Sequence, residues 1–236
     1  MTPKFLIIIV EEDGVKTKSS LPLHFHEING KAILEKSIES FIAILPDIKI
    51  ILVLPSKDIP YWKDYCSQNN FYYRQSLVEG GFTRFHSMKR ALEKVPDGAL
   101  VAIQDGLRPI VSRKLLMRFF SVFDNSEEVE AVVPVIPLND GFKIGVKQAG
   151  VYDLHSRNRL DRNDVFCIQT PQIYSSELIK KAYSQPYDIN FTDDSSVVEA
   201  MEKKIKYLDG ERTNIKITSL EDVILAKAIL SFVNRT

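Results

Sequence analysis

The sequence predicts an α/β fold, a mostly parallel sheet with helices on both faces and a β-arm protruding from it. Short apolar runs rich in β-branched residues alternate with segments whose apolar residues recur at helical spacing, as βαβ units require. One polar stretch, residues 137–164, breaks this alternation and is too long for an ordinary loop in a compact domain. The third observation is Gln104-Asp105-Gly106-Leu107-Arg108-Pro109, which follows the apolar run Ala99–Ile103. A carboxylate just past the end of a buried strand sits where open α/β sheets bind their ligands.

Each element has its own warrant. Phe5–Val10 is apolar and β-branched and reads as a central strand. Ile33, Leu34, Ile38, Phe41, Ile42 and Leu45 place a helix over residues 32–45. Ile48–Leu54 is a second buried strand, Tyr61–Gln68 a short helix, and Phe71–Val78 a strand broken by Gly80-Gly81. Phe82, Phe85, Met88, Ala91, Leu92 and Val95 trace one face of the next helix. Ser112 can cap a helix carrying Leu115, Leu116, Phe119, Phe120 and Phe123, and Val129–Val135 is a further strand.

In residues 137–164, Phe142–Val146 and Gly150–Leu154 are strand-like, so the excursion reads as an extended arm; such arms often serve dimers. Regular structure resumes near Phe166. Thr192 can cap a helix with Asp193 and Asp194 in its first turn, where the dipole favours acids. Lys206–Leu208 and Asn214–Ile217 read as short strands. Ser219-Leu220-Glu221-Asp222 resembles a capping box opening a last helix over 220–233. No repeat or linker interrupts the chain, which reads as a single domain, 1–236, with 137–164 as a β-arm subdomain for dimerisation.

Composition bounds the function. The chain has 236 residues, 44% of them hydrophobic, enough for a sizeable core. Lys+Arg and Asp+Glu are both 31, a balance that argues against a nucleic-acid partner. Cys66 and Cys167 offer neither a disulfide framework nor a metal cluster. The leading apolar run is too short to span a membrane and no cleavage site follows it, so a cytoplasmic protein without membrane attachment is expected.

Asp105 can hold a divalent metal and Arg108 can clamp a phosphate through its fork of donors. A helix-cap Asp and a turn Pro are the alternative that these residues alone leave open.

Further motifs narrow the reading. Gly80-Gly81 with Arg84 and Ser87, Asp105-Gly106-Leu107-Arg108-Pro109, Asp140 and Lys143, Asp161-Arg162-Asn163, Thr170-Pro171-Gln172, Thr192-Asp193-Asp194 and Asn214-Ile215-Lys216-Ile217-Thr218 occur in this order. In order and spacing they resemble the 2-C-methyl-D-erythritol 4-phosphate cytidylyltransferase family of the non-mevalonate isoprenoid pathway. Relatives that act on ribitol 5-phosphate share much of the pattern. The resemblance implies a Rossmann-like sheet of the nucleotide-diphospho-sugar transferase type, with an arm that clasps a second subunit in a homodimer. It implies transfer of CMP from CTP to a polyol phosphate, with release of pyrophosphate and with Mg2+ as cofactor.

By the same resemblance, Asp105 is the magnesium ligand and Lys216 reaches the CTP phosphates. Gly14, Gly80, Gly81, Ser87 and Gly106 belong to the nucleotide side. Arg108, Arg162, Thr170, Thr192 and Thr213 hold the acceptor, with Arg162 reaching a neighbouring subunit's site. Residue by residue, plainer readings stand beside these. Ser87 can be a solvated helical serine, Lys216 an outward lysine, Arg162 a surface arginine paired with Asp161 or Asp164, and Thr192 a cap alone.

The family's glycine-rich loop is altered in Val10–His24. One loop glycine remains, Gly14; Lys16 stands at the Arg position and Leu23 at the Lys position. Glu11, Glu12 and Asp13 lie where a triphosphate is expected, and removing a charge-stabilising donor typically costs on the order of a hundred- to a thousand-fold in rate. If the loop keeps its geometry, Leu23→Lys is expected to raise activity. His24 and His26 read as surface histidines flanking Phe25. Phe82 replaces an expected acid, Gln104 an expected His and Thr213 an expected Asp. A homologue that has lost catalysis and keeps a phosphorylated ligand is the alternative to an active cytidylyltransferase.

Overall fold

Alternation along the first strand, β1 (Lys4–Ile9), sets the layers. Phe5, Ile7 and Ile9 point into one buried cluster, and Leu6 and Ile8 into another on the opposite face. A strand apolar on both sides has to be covered on both sides, and helices do so here. The computed structural model describes residues 2–11, 21–126, 128–155 and 160–233.

After β1 come the short strands β2 (Glu27–Ile28) and β3 (Lys31–Ala32), then α1 (Ile33–Ile42), β4 (Lys49–Leu54), α2 (Asp58–Gln68), β5 (Gln75–Glu79), α3 (Arg84–Leu92), β6 (Leu100–Asp105), α4 (Arg113–Asp124) and β7 (Ala131–Pro137). The arm carries β8 (Ile144–Gln148) and β9 (Val151–His155). The chain then returns through β10 (Phe166–Ile168), β11 (Gln172–Ser175), α5 (Ser176–Ala182), α6 (Asp194–Glu199), β12 (Lys206–Asp209) and α7 (Leu220–Val233).

The main sheet runs β10-β7-β11-β6-β1-β4-β5, with β12 also pairing β7. Strands β6, β1, β4 and β5 are parallel, with Ile9 opposite Asp105 and Val53 opposite Val78. Their C-terminal ends therefore finish on one edge. Strand β11 runs antiparallel between β6 and β7, so the sheet is mixed although its ligand-facing half is parallel.

Helices α3, α5 and α6 cover one face through Met88, Leu178 and Val197. Helices α1, α2 and α4 cover the other through Ile38, Trp62 and Phe119. A third cluster joins Leu23, Ile28, Ile33, Leu107, Ile110, Ile217, Val223 and Ala226 beneath α7.

Several local expectations hold. Ser112 caps α4, its Oγ accepting from Leu115 N at 3.0 Å. At α7, Asp222 Oδ2 accepts from Ser219 N at 3.0 Å while Ser219 Oγ accepts from Asp222 N at 3.3 Å, the reciprocal capping box. The arm is an antiparallel hairpin pairing Ile144 with His155 and Gln148 with Val151.

Other expectations need correction. Residues 214–217 form no strand; Ile217 N donates to Leu107 O at 2.8 Å and Ile217 is buried beside α7, so its apolar character serves a helix contact. The strand expected over 71–78 begins only at Gln75, because Phe71 and Tyr73 pack beside the helix-covered cluster instead of pairing. His24 is not a surface residue. It is 4% exposed, its ring lies 4.1 Å from that of Phe25, and its Nε2 is 3.3 Å from Asp58 Oδ2. Helix α6 is capped by Asp193, not Thr192: Asp193 Oδ1 accepts from Ser196 N at 3.1 Å and Ser196 Oγ accepts from Asp193 N at 3.2 Å.

Candidate functional site

The C-terminal edge of β6, β1, β4 and β5 gathers most of the residues singled out in the sequence. Asp105 is the last residue of β6 and its side chain is 13% exposed. Its Oδ1 accepts from Leu107 N at 3.0 Å, an Asx turn that orients the carboxyl, and its Oδ2 lies 2.8 Å from Lys216 Nζ. Thr170 Oγ1 accepts from Asp105 N at 3.0 Å. Thr170 occupies the break between β10 and β11, which is what brings a hydroxyl to this strand end.

Arg108 lies beside them. Its Nη1 donates to Asn214 O at 2.7 Å, and Gln104 Nε2 donates to Arg108 O at 2.8 Å. Burial lowers the Arg108 pKa, with the Asp105 charge opposing; the guanidinium stays protonated. Asn214 Nδ2 donates to Thr170 O at 2.7 Å, and Gln169 Nε2 donates to Glu211 O at 2.9 Å. These amides pin the 211–216 segment that delivers Lys216 to Asp105. Gln169 carries no sequence signal of its own, since polar residues near strand ends are common, whereas Asn214 opens the Asn214–Thr218 motif singled out in the sequence without a role being assigned to it.

Along the same edge a cavity of about 460 Å³ opens between β1 and β5. Glu11, Pro55, Ser56, Gly80, Gly81 and Ser87 are among its walls. Its floor is fixed by two bonds from backbone N–H groups: Gly80 N donates to Leu54 O at 2.8 Å, and Gly81 N donates to the Ser87 side-chain Oγ at 2.8 Å. A Cβ on Gly81 would lie 2.6 Å from His86 Cβ, so only glycine lets the loop close on α3. Ser87 is 6% exposed and bonded to this loop, which removes the solvated-serine alternative.

Arg84, at the start of α3, links this cavity to α6. Its Nη2 lies 2.6 Å from Asp194 Oδ2, its Nη1 3.4 Å from Glu11 Oε2, and Tyr183 Oη donates to Asp194 Oδ1 at 2.5 Å. Burial alone would lower the Arg84 pKa; Asp194, with Tyr183 and Glu11 beyond it, outweighs that and raises it. Asp194 itself is 0% exposed. Its role could have been suspected only from the doubled acid after Thr192, because a helix cap needs one acid.

The remaining predicted residues lie elsewhere. Gly106 faces β1: a Cβ there would lie 2.5 Å from Val10 Cγ2, and this glycine therefore serves packing rather than opening a nucleotide surface. Thr213 lines a separate groove with Pro109, Val111 and Lys36. Thr192 is exposed, its N–H donating to Ser196 Oγ at 3.0 Å. Arg162 is exposed at the base of the arm, and its Nη1 donates to Asn139 O at 3.3 Å. Leu23, 7% exposed, is packed into the third cluster, where a lysine would be buried among apolar side chains, so the expected benefit of Leu23→Lys is withdrawn. Gly14 and Lys16 lie outside the described residues.

No helix among the described residues is long and apolar enough to cross a membrane. The donor set suits a hard divalent cation that takes few protein ligands. Magnesium is commonly held by one or two carboxylates with substrate phosphates supplying the rest, and Asp105 at an open edge fits that pattern. No group of three or more His, Cys, Asp or Glu side chains able to hold a metal without such help is present among the described residues.

Comparison with known proteins agrees with this architecture. The profile of the 2-C-methyl-D-erythritol 4-phosphate cytidylyltransferase family matches residues 5–232. The enzyme of that name from Phocaeicola vulgatus is 36% identical over 227 residues, covering 96% of this chain and 99% of the relative. The one from Azobacteroides pseudotrichonymphae is 37% identical over 235 residues, covering 98% and 100%. Among solved structures, the 4-diphosphocytidyl-2C-methyl-D-erythritol synthase of Anaerococcus prevotii superposes with a TM-score of 0.72 at 27% identity, covering 97% of this chain and 95% of that one.

Proposed function

The chain belongs to the 2-C-methyl-D-erythritol 4-phosphate cytidylyltransferase family, and from that premise we propose that it transfers CMP from CTP to 2-C-methyl-D-erythritol 4-phosphate. The observation that carries the reading is the meeting of Asp105, Lys216, Arg108 and Thr170 at one strand end, beside the glycine-floored cavity. In this reaction an acceptor phosphate oxygen attacks the α-phosphorus of CTP. The bond from that phosphorus to the bridging oxygen breaks, and pyrophosphate leaves with the electron pair.

The protein's task is to align the two anions and offset their charge. Gly80, Gly81 and Ser87 shape the nucleotide end, and Lys216 supplies a cation at the phosphates. Arg108 and Thr170 bind the acceptor, joined by Thr192 at the N-terminus of α6, where anions are favoured. Asp105 would hold a magnesium ion, which when bound would supply Lewis-acid neutralisation of the triphosphate. A cytoplasmic setting is part of the same proposal.

The chain is read as one domain whose arm, residues 137–164, clasps a second copy. Ile144, Val146, Val151, Tyr152 and Leu154 are all exposed on the arm hairpin, as expected of a surface awaiting a partner. Arg162 would then serve the partner's site. A monomer in light scattering at micromolar concentration would remove the arm from this account.

Pyrophosphate release from CTP and magnesium, with 2-C-methyl-D-erythritol 4-phosphate or ribitol 5-phosphate as acceptor, tests the reading and identifies the acceptor. A second reading, ligand binding without turnover, is favoured by one observation: Glu11 places a carboxylate in the nucleotide cavity. Release with neither acceptor from a folded dimer would select it.

A further inference from the structure

Phe82 is 97% exposed, yet it lines the same cavity as Gly80, Gly81 and Ser87. A single exposed apolar residue needs no explanation by itself. This one differs because both neighbours are fixed. Gly81 N is held by Ser87 Oγ at 2.8 Å, and Thr83 caps α3, accepting from His86 N at 3.4 Å and pairing with His86 Nδ1 at 2.8 Å. The backbone on either side of Phe82 is therefore anchored, and the ring is carried outward by a built turn.

Its chain neighbours show the contrast. Phe85, one helical turn on, buries its ring against Tyr183 and Phe191 with centroids 4.9 and 5.6 Å apart. Phe82 does not join that aromatic cluster; it stays in solvent among the residues that border the cavity. The cavity has room for a base and its sugar, and its floor is bare backbone at two glycines. Gly80 and Gly81 offer no side chain to grip a base face. Among the described residues, Phe82 is the one large aromatic on the cavity's walls.

We propose that Phe82 is a stacking lip that holds the nucleotide by the face of its base, so that base recognition here leans on stacking and tolerates a change of pyrimidine. The inference rests on the nucleotide reading of this cavity and deepens it. Aromatic stacking is available to every base because every base presents a π-face. A carboxylate at this position, the side chain expected from the family pattern, would instead accept hydrogen bonds and discriminate between donors.

The test is calorimetric titration of the full chain with CTP, UTP and inorganic tripolyphosphate, each with magnesium, for the wild type, Phe82→Ala and Phe82→Trp. Because Phe82 is exposed, neither substitution disturbs the core. Phe82→Ala is expected to weaken CTP and UTP alike, by roughly ten-fold or more, from the usual loss of one stacked base. Tripolyphosphate, which has no base, is expected to bind all variants equally, and Phe82→Trp to bind both nucleotides at least as well as wild type. Equal CTP affinity in wild type and Phe82→Ala would overturn the stacking lip while leaving the nucleotide reading intact. A wild type that binds neither nucleotide would overturn both. Loss of tripolyphosphate binding in Phe82→Ala would also overturn it, by showing that the effect is structural.

Discussion

Replacing Leu23 by lysine separates the sequence pattern from the structure. On pattern alone the substitution restores a missing cation and should raise activity. In the fold, Leu23 is 7% exposed among Ile28, Ile33, Leu107 and Ile217. Removing that leucine forfeits about 2 kcal/mol of apolar burial. The incoming ammonium must then reach water along its stem or lose its proton. Burial lowers a lysine pKa by up to ~3–5 units, each worth about 1.4 kcal/mol, and partial escape to the nearby surface relieves some of this. The sum is about 3–5 kcal/mol, a large share of the roughly 5–15 kcal/mol that holds a domain together.

For a chain of this size the thermal midpoint falls about 2–4 °C per kcal/mol, so a drop of about 6–20 °C is expected. The pH dependence carries a signature. A lysine whose folded pKa is depressed is penalised fully below that value, and the penalty fades as pH rises toward the unfolded value of about 10.4. The gap between Leu23→Lys and wild type should therefore narrow from pH 7 to pH 10. Leu23→Met, a volume-conserving control, should cost less than about 1.5 kcal/mol. Differential scanning calorimetry across that range, with pyrophosphate release measured alongside, reads both quantities. A Leu23→Lys chain as stable as wild type and faster in turnover would refute the burial argument.

Three further outcomes are expected. Arg84→Met should cost about 3–5 kcal/mol in urea unfolding, because Asp194 would remain buried without its guanidinium; adding Asp194→Asn should recover part of the loss, and strict additivity would count against the pair. His24 is held neutral, its pKa lowered to about 4 by burial and by the charges of Lys57 and His26, which prevail over the nearby Asp58 because the ring is almost wholly enclosed. The unfolded chain binds that proton first, so stability is full above about pH 6.5 and declines by about 3 kcal/mol toward pH 4; His24→Gln should flatten this window, and an unchanged slope would show that Asp58 prevails. Asp105→Asn should lower magnesium-dependent turnover at least about a hundred-fold while shifting the thermal midpoint little, since an amide oxygen can still accept from Leu107 N; a near-normal rate would take Asp105 out of the chemistry.

What could be read from the sequence was local. The two-sided apolar run of β1, the Ser112 cap and the Ser219–Asp222 box each depend on neighbours a few residues away, and each is where the pattern put it. Asp105 and Lys216 were singled out separately, and only the folded loop shows them 2.8 Å apart. The misreadings are tertiary. A histidine between a leucine and a phenylalanine looks amphipathic until α2 supplies Asp58 against it. Ile215 and Ile217 carry a strand-like period, but their partner is α7 and not a sheet. Thr192 and Asp193 are both good caps by composition, and the choice fell to the residue whose carboxylate reaches Ser196 N.

The contact between Gly106 and Val10 has an evolutionary consequence. Because a Cβ at 106 would overlap Val10 Cγ2, the two positions form a notch and its filler, and a substitution at either is conditional on the other. The loop after β1 and the loop after β6 are thereby tied at their first residues. Fixed strand ends thus make this corner of the site one that a single substitution cannot reshape.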